Sequence, residues 1–331
     1  LALTIREKLL YLIGVIASGG CPLPIRIADG LPAKQELLHE GIQVMEEQTA
    51  QRQDIRPLKI LLLNLMPKKE ETELQFLRLL GSQPLQIEVD FLQMSSRKSS
   101  HTNASHLEKF YYQFNQIQDR YYDGLIVTGA PVEHLDFEDV TYWSELQSIF
   151  DWSKNHVFSC LHICWGAQAR LYTDYGITKH SLPIKLFGIF SHELTQRHHP
   201  LTRGMDDSFL APQSRHTGID EARLAQHPEL DVLATAPETG TLLAASKDNR
   251  QIFVTGHMEY DALTLDQEYR RDLGSNPQVC LPLNYYPQDQ ADLPPQHRWR
   301  SSAYLFFHNW LNLVYQQTPY DLTRLDDQSA K

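Results

Sequence analysis

The sequence predicts an α/β protein of the doubly wound type, in which a mostly parallel sheet is covered by helices on both faces. In the first half of the chain, short apolar runs alternate with segments whose apolar residues recur at helical spacing. The runs at 58–65 and 157–163 are almost continuously apolar, as expected of parallel strands buried on both faces. The second run passes through a cysteine directly into a helix-compatible segment, which indicates a nucleophile elbow. The site of such a fold lies at the carboxyl ends of the strands.

The composition allows a large core and restricts the ligands. Of the 331 residues, 42% are hydrophobic, and the formal net charge is −11. This charge argues against a nucleic-acid partner, so an anionic substrate has to be met by local positive charge. The four cysteines show neither a disulfide framework nor the ligand spacing of a zinc site. We therefore expect no metal and a reducing, cytoplasmic setting.

The individual elements can be placed along the chain. The segment 70–80 predicts a helix, because Leu74, Leu77 and Leu80 recur at spacing three. Further strands are expected at 85–92, 125–128 and 157–164, and further helices at 106–114, 142–154 and 165–175. The second half predicts short strands at 186–190, 208–211, 232–236, 242–245 and 251–255. It ends with helices at 263–273 and 300–315, joined by a loop at 281–295 that is rich in proline and glutamine.

Cys164 stands at the junction between strand and helix. A thiol at a helix N-terminus is favoured as a thiolate by the unpaired amides and the helix dipole, and the same amides can receive an oxyanion. An elbow usually has small residues two positions before and after the nucleophile, which Gly166 satisfies and His162 does not. Taken alone, Cys164 is also compatible with a buried structural cysteine.

His257 and Glu259 follow another buried strand, 93 positions after the cysteine. In an extended segment, residues two apart point to the same side. A carboxylate can therefore hold one nitrogen of the imidazole while the other nitrogen faces a thiol. This arrangement predicts a catalytic triad of Cys164, His257 and Glu259. The alternative is a histidine at a strand end beside a solvated glutamate.

These residues lie within stretches that resemble the homoserine O-acyltransferases, a family related to class I glutamine amidotransferases. The matching stretches are PIRIADGLPA (24–33), IRPLKILLLNLMPKKEETELQFLRLLG (55–81), YDGLIVTGAPVE (122–133), CWGAQA (164–169), SFLAPQSR (208–215), TGHMEYDA (255–262) and PYDL (319–322). The resemblance implies an enzyme of methionine biosynthesis that moves an acyl group from acyl-CoA to L-homoserine. It also implies a single α/β acyltransferase domain over 23–322, between an N-terminal extension at 1–22 and a tail at 323–331. The apolar run in the extension is too short to span a membrane.

Charged residues near the triad suggest how an amino acid is bound. Glu268 and Arg271 are three apart on a predicted helix and so share a face. Their charges suit an α-ammonium and an α-carboxylate, although such spacing more often marks a surface ion pair. The resemblance supports Arg271 as a substrate residue and adds Lys185, Ser214 and Lys68. Lys69 is expected on a solvated face.

Glu133 is the residue that the resemblance associates with the acyl donor. In the family, glycine at this position goes with succinyl-CoA and glutamate with acetyl-CoA. The physical argument agrees, because a carboxylate repels the distal carboxylate of a succinyl group in a pocket of low dielectric constant. We therefore expect acetyl-CoA as co-substrate and no permanently bound cofactor.

The expected reaction has two halves. Cys164 is acetylated by acetyl-CoA, with the backbone amides of Trp165 and Leu65 holding the oxyanion, and His257 then activates the acceptor hydroxyl. Arg170 and Met258 depart from the family pattern. Arg170 and Asp174 are four apart and either pair on the surface or, with the rest of segment 170–180, mark an altered acceptor pocket. L-Serine as acceptor and succinyl-CoA as donor are therefore alternatives. A glutamine amidotransferase and a non-catalytic binding protein are more distant ones, and a homodimer is plausible by analogy with the family.

Overall fold

A computed structural model describes residues 25–28, 30–39, 44–46, 56–96, 102–275 and 279–325. The expected extension at 1–22 and most of the expected tail lie outside these residues. The strands are β1 Ile25–Ile27, β2 Val44–Glu46, β3 Leu58–Leu63, β4 Ile87–Leu92, β5 Tyr111–Tyr112, β6 Tyr122–Val127, β7 Val157–Ile163, β8 Lys179–Leu194, β9 Ser208–Ile219, β10 Leu230–Ala236, β11 Gly240–Ser246 and β12 Gln251–Val254. The helices are α1 Ala33–His39, α2 Lys69–Leu80, α3 Ala104–Phe110, α4 Trp143–His156, α5 Trp165–Tyr175, α6 Glu221–Gln226, α7 Thr264–Ser275 and α8 Arg300–Gln317.

The strands of the described ranges form one sheet, in the order β2-β1-β4-β3-β6-β7-β12-β11-β10-β8-β9, with β5 beside β4. All pairs from β2 to β12 are parallel. The remaining strands, β11, β10, β8 and β9, continue the sheet with antiparallel pairs. The predicted mostly parallel α/β sheet is thus confirmed.

The parallel half is buried on both faces, as its apolar runs predicted. Every residue from Ile60 to Leu63 in β3 is fully buried, and β6 and β7 are buried along their whole length. Helix α8 packs Phe306, Phe307 and Trp310 into the core on one face, and α4 and α5 contribute to the apolar cluster that includes β7 residues on the other. Such double coverage is what a parallel sheet requires.

The antiparallel part differs from the expectation. Two short strands at 186–190 and 208–211 were predicted, but β8 and β9 form one long hairpin of 16 and 12 residues. The first part of β8 is polar and largely solvent-exposed, so it lacks the apolar run by which buried strands are recognised. The helix predicted at 106–114 ends at Phe110, where β5 begins. In the part of the chain that the structure describes, none of the helices has the length and apolar character needed to cross a bilayer.

Candidate active site

The triad residues meet because their strands are neighbours. Strands β7 and β12 are parallel and paired with Ile163 opposite Val254. Cys164 is the next residue after Ile163, and its amide donates a hydrogen bond of 2.7 Å to the carbonyl of Val254. His257 follows Val254 by three residues, and its amide is fixed on the Pro212 carbonyl of β9 at 2.9 Å. The shared sheet edge therefore brings together thiol and imidazole.

Cys164 has the backbone of a strained elbow. Its φ of 49° and ψ of −115° are unusual for a residue other than glycine. A Cβ on Gly166 would lie 2.7 Å from the Thr128 carbonyl oxygen, so only glycine lets α5 approach the end of β6 this closely. A Cβ on Gly129 would lie 3.3 Å from the Cys164 Cβ. Because neither glycine has a Cβ, the backbone packs closely around Cys164 while the space beside its thiol stays free.

His162 occupies the position where elbows usually carry a small residue. Its ring is fully buried between Phe150 and Phe253, with centroid distances of 5.7 and 5.6 Å. Its Nε2 lies 3.0 Å from Oε1 of Gln251. Burial lowers the pKa of His162 to about 3, so the imidazole is neutral at physiological pH. The large side chain of His162 therefore fits at this position because it is packed within the apolar core.

His257 is arranged as a general base. Its Nδ1 lies 2.7 Å from Oε1 of Glu259, and both side chains are buried. Burial lowers the pKa of His257, but interactions with Cys164 and Glu259 raise it by more, and the net pKa lies well above the usual value. The imidazole therefore takes up a proton readily, which suits a thiolate–imidazolium pair. The ring also stacks on Tyr260 at a centroid distance of 4.1 Å.

The two predicted oxyanion amides differ in their surroundings. The amide of Trp165 is the first of helix α5, where amides have no acceptor within the helix. The amide of Leu65 instead donates to the Thr128 hydroxyl at 2.8 Å, and its side chain is buried. In the structure the Thr128 hydroxyl occupies this amide, so an oxyanion at Leu65 would have to replace that hydrogen bond. The oxyanion roles of Trp165 and Leu65 both stay predictions.

A cavity of about 530 Å³ opens on the sulfur of Cys164. It is lined by Met66, Gly129, Ala130, Pro131, Glu133, Cys164, Ile184, Lys185, Phe187, Ser214, His216, His257, Tyr260, Glu268, Arg271, Asp272, Val279 and Cys280. The predicted residues Glu133, Lys185, Ser214, Glu268 and Arg271 are all among them. The lining combines residues after β6 with residues of β8, β9 and α7.

Glu268 is oriented by several donors. Its Oε1 accepts a hydrogen bond of 2.8 Å from the Tyr260 hydroxyl, and its Oε2 accepts one of 2.5 Å from the Ser214 hydroxyl. Lys185 reaches the same Oε2 at 3.5 Å. Burial raises the pKa of Tyr260 well above the usual value, and Glu268 adds to this effect, so the hydroxyl stays protonated and donates. Glu268 thus presents a fixed negative charge to the cavity.

Arg271 and Lys185 share a second carboxylate, Asp272. Arg271 contacts Oδ1 of Asp272 at 2.8 Å, and Lys185 contacts Oδ2 at 3.2 Å. Partial burial raises the pKa of Asp272, but Arg271 and Lys185 lower it below the ordinary value. A substrate carboxylate would bind these cations in competition with Asp272. The sequence analysis did not single out Asp272 or Tyr260, whose roles depend on how α7 faces β8 and β9.

Two charged residues lie away from the cavity. Lys68 is exposed and pairs with Glu71 at 2.9 Å, so the structure does not bring it to the cavity. The interpretation of Lys69 as solvated was wrong, because its side chain is buried and its amine bonds the Asn64 carbonyl. Helix α2 begins at Lys69 and turns that side chain inward, whereas Lys68 precedes the helix.

Arg170 is not part of an acceptor pocket. It is fully buried, donates to the Phe150 carbonyl at 2.9 Å and pairs with Asp174 at 2.8 Å. Its guanidinium lies over the Phe150 ring, 4.9 Å from the centroid. The departure at Arg170 therefore concerns the packing of α5 against α4, and Arg170 gives no support to an altered acceptor pocket.

The fold is that of class I glutamine amidotransferase-like proteins. A solved structure of a glutamine amidotransferase from Thermotoga maritima superposes with a TM-score of 0.53 at 12% identity, covering 80% of this chain and 100% of that one. At this identity the likeness concerns the fold alone.

The sequence comparisons identify the family. The family profile described as homoserine O-succinyltransferase matches residues 24–320. A homoserine O-acetyltransferase from Lachnospira eligens is 53% identical, covering 92% of this chain and 99% of its own length. A homoserine O-succinyltransferase from Aliivibrio salmonicida is 52% identical, covering 92% and 98%. The chain belongs to this homoserine O-acyltransferase family and is an acyltransferase.

Proposed function

We propose that this acyltransferase moves the acetyl group of acetyl-CoA to the side-chain hydroxyl of L-homoserine, through an acetyl thioester on Cys164. The choice of acetyl-CoA rests on one observation: the carboxylate of Glu133 lines the same cavity as Cys164. Overall similarity does not decide the donor, because relatives named for either acyl group are equally similar. The acyl donor therefore has to be selected by a residue close to the reacting atoms.

In the first half-reaction, the Cys164 thiolate attacks the thioester carbonyl of acetyl-CoA. The amide of Trp165 stabilises the oxyanion of the tetrahedral intermediate. The C–S bond to CoA breaks, and the CoA thiolate leaves with a proton from His257. Glu259 holds the imidazole by Nδ1 throughout, which leaves Nε2 for the proton transfer.

In the second half-reaction, neutral His257 removes the proton of the acceptor hydroxyl while the oxygen attacks the acetyl carbonyl. The Cys164 thiolate is the leaving group and is thereby regenerated. Glu268 binds the α-ammonium of the acceptor, and Lys185 and Arg271 bind the α-carboxylate in place of Asp272. The proposed acceptor is L-homoserine, because the similar relatives are named for homoserine and Arg170 is buried away from the cavity.

The proposal is tested with purified protein and four substrate combinations. We expect the highest kcat/KM for acetyl-CoA with L-homoserine, and lower values with succinyl-CoA or L-serine. Mass spectrometry after mixing with acetyl-CoA alone should find one acetyl group on Cys164. Cys164→Ser should lose turnover by several orders of magnitude, whereas Cys280→Ser, which alters another thiol of the same cavity, should retain it.

Three results would contradict the proposal: a preference for succinyl-CoA, a tenfold preference for L-serine, or ammonia release from glutamine without any CoA ester. We further propose that the enzyme acts in the cytoplasm, because its thiol must stay reduced, and that it forms a homodimer, as the family resemblance implies. Light scattering during size-exclusion chromatography tests the oligomeric state.

A further inference from the structure

Three side chains at the edge of the cavity combine donor atoms that metal ions prefer. Glu133 lies on the loop after β6, His134 follows it, and His216 lies on β9. One ligand atom from each residue lies within 4.8 Å of the other two. The two imidazole rings are 4.7 Å apart between centroids and are inclined by 48°. Two imidazoles and a carboxylate form a ligand set typical of zinc and similar transition metals.

The Glu133 side chain and the loop that carries it are held in place. Oε2 of Glu133 accepts a hydrogen bond of 2.8 Å from the backbone amide of His216, so carboxylate and imidazole start from adjacent positions. The amine of Lys179 donates to the carbonyls of Glu133 and Leu135, each at 2.5 Å, and fixes the loop.

His134 is exposed and can complete the site by a rotation of its side chain. Ligand atoms around a tetrahedral zinc ion are roughly 3.4 Å apart, as follows from bonds of about 2.0–2.1 Å. In the protein the three ligand atoms lie within 4.8 Å of one another, which is at most about 1.4 Å more than the separation around a bound ion. Rotation of the exposed His134 side chain can close this difference without any movement of the backbone.

We propose that Glu133, His134 and His216 bind a divalent transition-metal ion of the zinc type, and that the bound ion competes with the acyl donor. The first part rests on the geometry of the three side chains. The second part rests on the proposed function, in which Glu133 lies beside the acyl group. Both Glu133 and His216 line the cavity that contains Cys164. A cation held there occupies the space of the acyl group and neutralises the carboxylate that selects it.

Metal binding is measured without reference to activity. The protein used is the full chain with Cys164→Ser and Cys280→Ser. These substitutions are needed because the two thiols of the cavity would otherwise bind metal themselves. Co²⁺ added to this protein should produce visible absorption of a four- or five-coordinate ion, which Zn²⁺ should displace. In the same background, His134→Gln should weaken Co²⁺ binding at least tenfold. His39→Gln, which changes an exposed histidine at the end of α1, should leave it unchanged. Equal affinity in the His134→Gln and His39→Gln proteins would overturn the site.

Inhibition is measured with otherwise unaltered enzyme. Zn²⁺ should raise the KM for acetyl-CoA, and His134→Gln should weaken this inhibition at least tenfold without changing turnover in the absence of Zn²⁺. If His134→Gln weakened Co²⁺ binding but inhibition did not compete with acetyl-CoA, the link to the donor would be refuted while the metal site stood. Failure of the proposed function would appear separately, as absence of acetyl transfer in metal-free buffer.

Discussion

Removal of the Glu133 charge should change which acyl donor the enzyme prefers. The carboxylate is half-buried and is held by the His216 amide at 2.8 Å and the Thr217 hydroxyl at 3.4 Å. Its position relative to the cavity is therefore fixed by β9. Glu133→Gln keeps the shape and an acceptor oxygen but removes the charge, whereas Glu133→Gly removes both charge and bulk.

The magnitude follows from the repulsion between two carboxylates. At a separation of about 6 Å and an effective dielectric constant of about 20, two unit charges repel by about 2.8 kcal/mol. This energy corresponds to a factor of about 100 in rate. Glu133→Gln should therefore raise the ratio of kcat/KM for succinyl-CoA over acetyl-CoA about 100-fold. Glu133→Gly should raise it further, because a succinyl group also needs space.

The assay is the release of free CoA thiol with saturating L-homoserine and varied donor. Glu138→Gln is the matched control, because Glu138 lies on the same loop but is exposed and accepts a hydrogen bond from Tyr172 at 2.7 Å. It should leave the donor ratio unchanged. A donor ratio for Glu133→Gln within a few-fold of the parent value, in a protein that remains folded, would refute the electrostatic argument.

Other substitutions test the remaining parts of the site. Glu259→Gln should lower kcat by about 10²–10⁴-fold in steady-state assays, because the imidazole of His257 loses the carboxylate that orients it. An unchanged kcat would show that Glu259 does not orient His257 for catalysis. Arg271→Lys should raise the KM for L-homoserine while single-turnover acetylation of the enzyme stays intact, and equal loss in both measurements would argue against acceptor binding. Lys179→Met should reduce the selectivity for acetyl-CoA, because the loop of Glu133 loses the amine that holds it, and Lys179→Arg should partly restore this selectivity. If Lys179→Met left the donor ratio of kcat/KM unchanged, other contacts would hold the loop. Arg170→Met should lower the melting temperature in calorimetry without changing the preference for L-homoserine over L-serine, because it breaks a buried ion pair outside the cavity.

The sequence predicted the parallel half of the fold because local patterns determine it. Continuous apolar runs identified β3 and β7, and the helix expected at 165–175 has the bounds of α5. The pairing of β7 with β12 could not be read from the pattern, since 93 positions separate Cys164 and His257. Their expected meeting followed from the chemistry of the residue types. The structure supplies the register that brings them to one edge.

The sequence did not predict contacts that depend on tertiary structure. Lys68 and Lys69 are adjacent, and only the start of α2 at Lys69 decides which amine turns inward. The amide of Leu65 is satisfied by Thr128, a residue 63 positions away. Arg170 interrupts an apolar segment, and its buried partners come from α4 and from the next turn of α5. Thr128 and Phe150 are distant in the sequence, whereas Asp174 lies only one helical turn from Arg170, and its burial depends on how α5 packs.

The predicted triad and the residues proposed to select substrates lie on different parts of the architecture. Cys164, His257 and Glu259 lie just after strands β7 and β12 of the parallel half, where the register of neighbouring strands fixes their geometry. The residues proposed to select substrates lie on the loop after β6, on the antiparallel hairpin of β8 and β9, and on α7. A change in these elements can alter the donor or the acceptor while the paired ends of β7 and β12 keep the triad unchanged. This separation explains how relatives named for acetyl and for succinyl transfer can be equally similar to one chain. In the proposed function, Glu133 is the position whose charge acts directly on the acyl group.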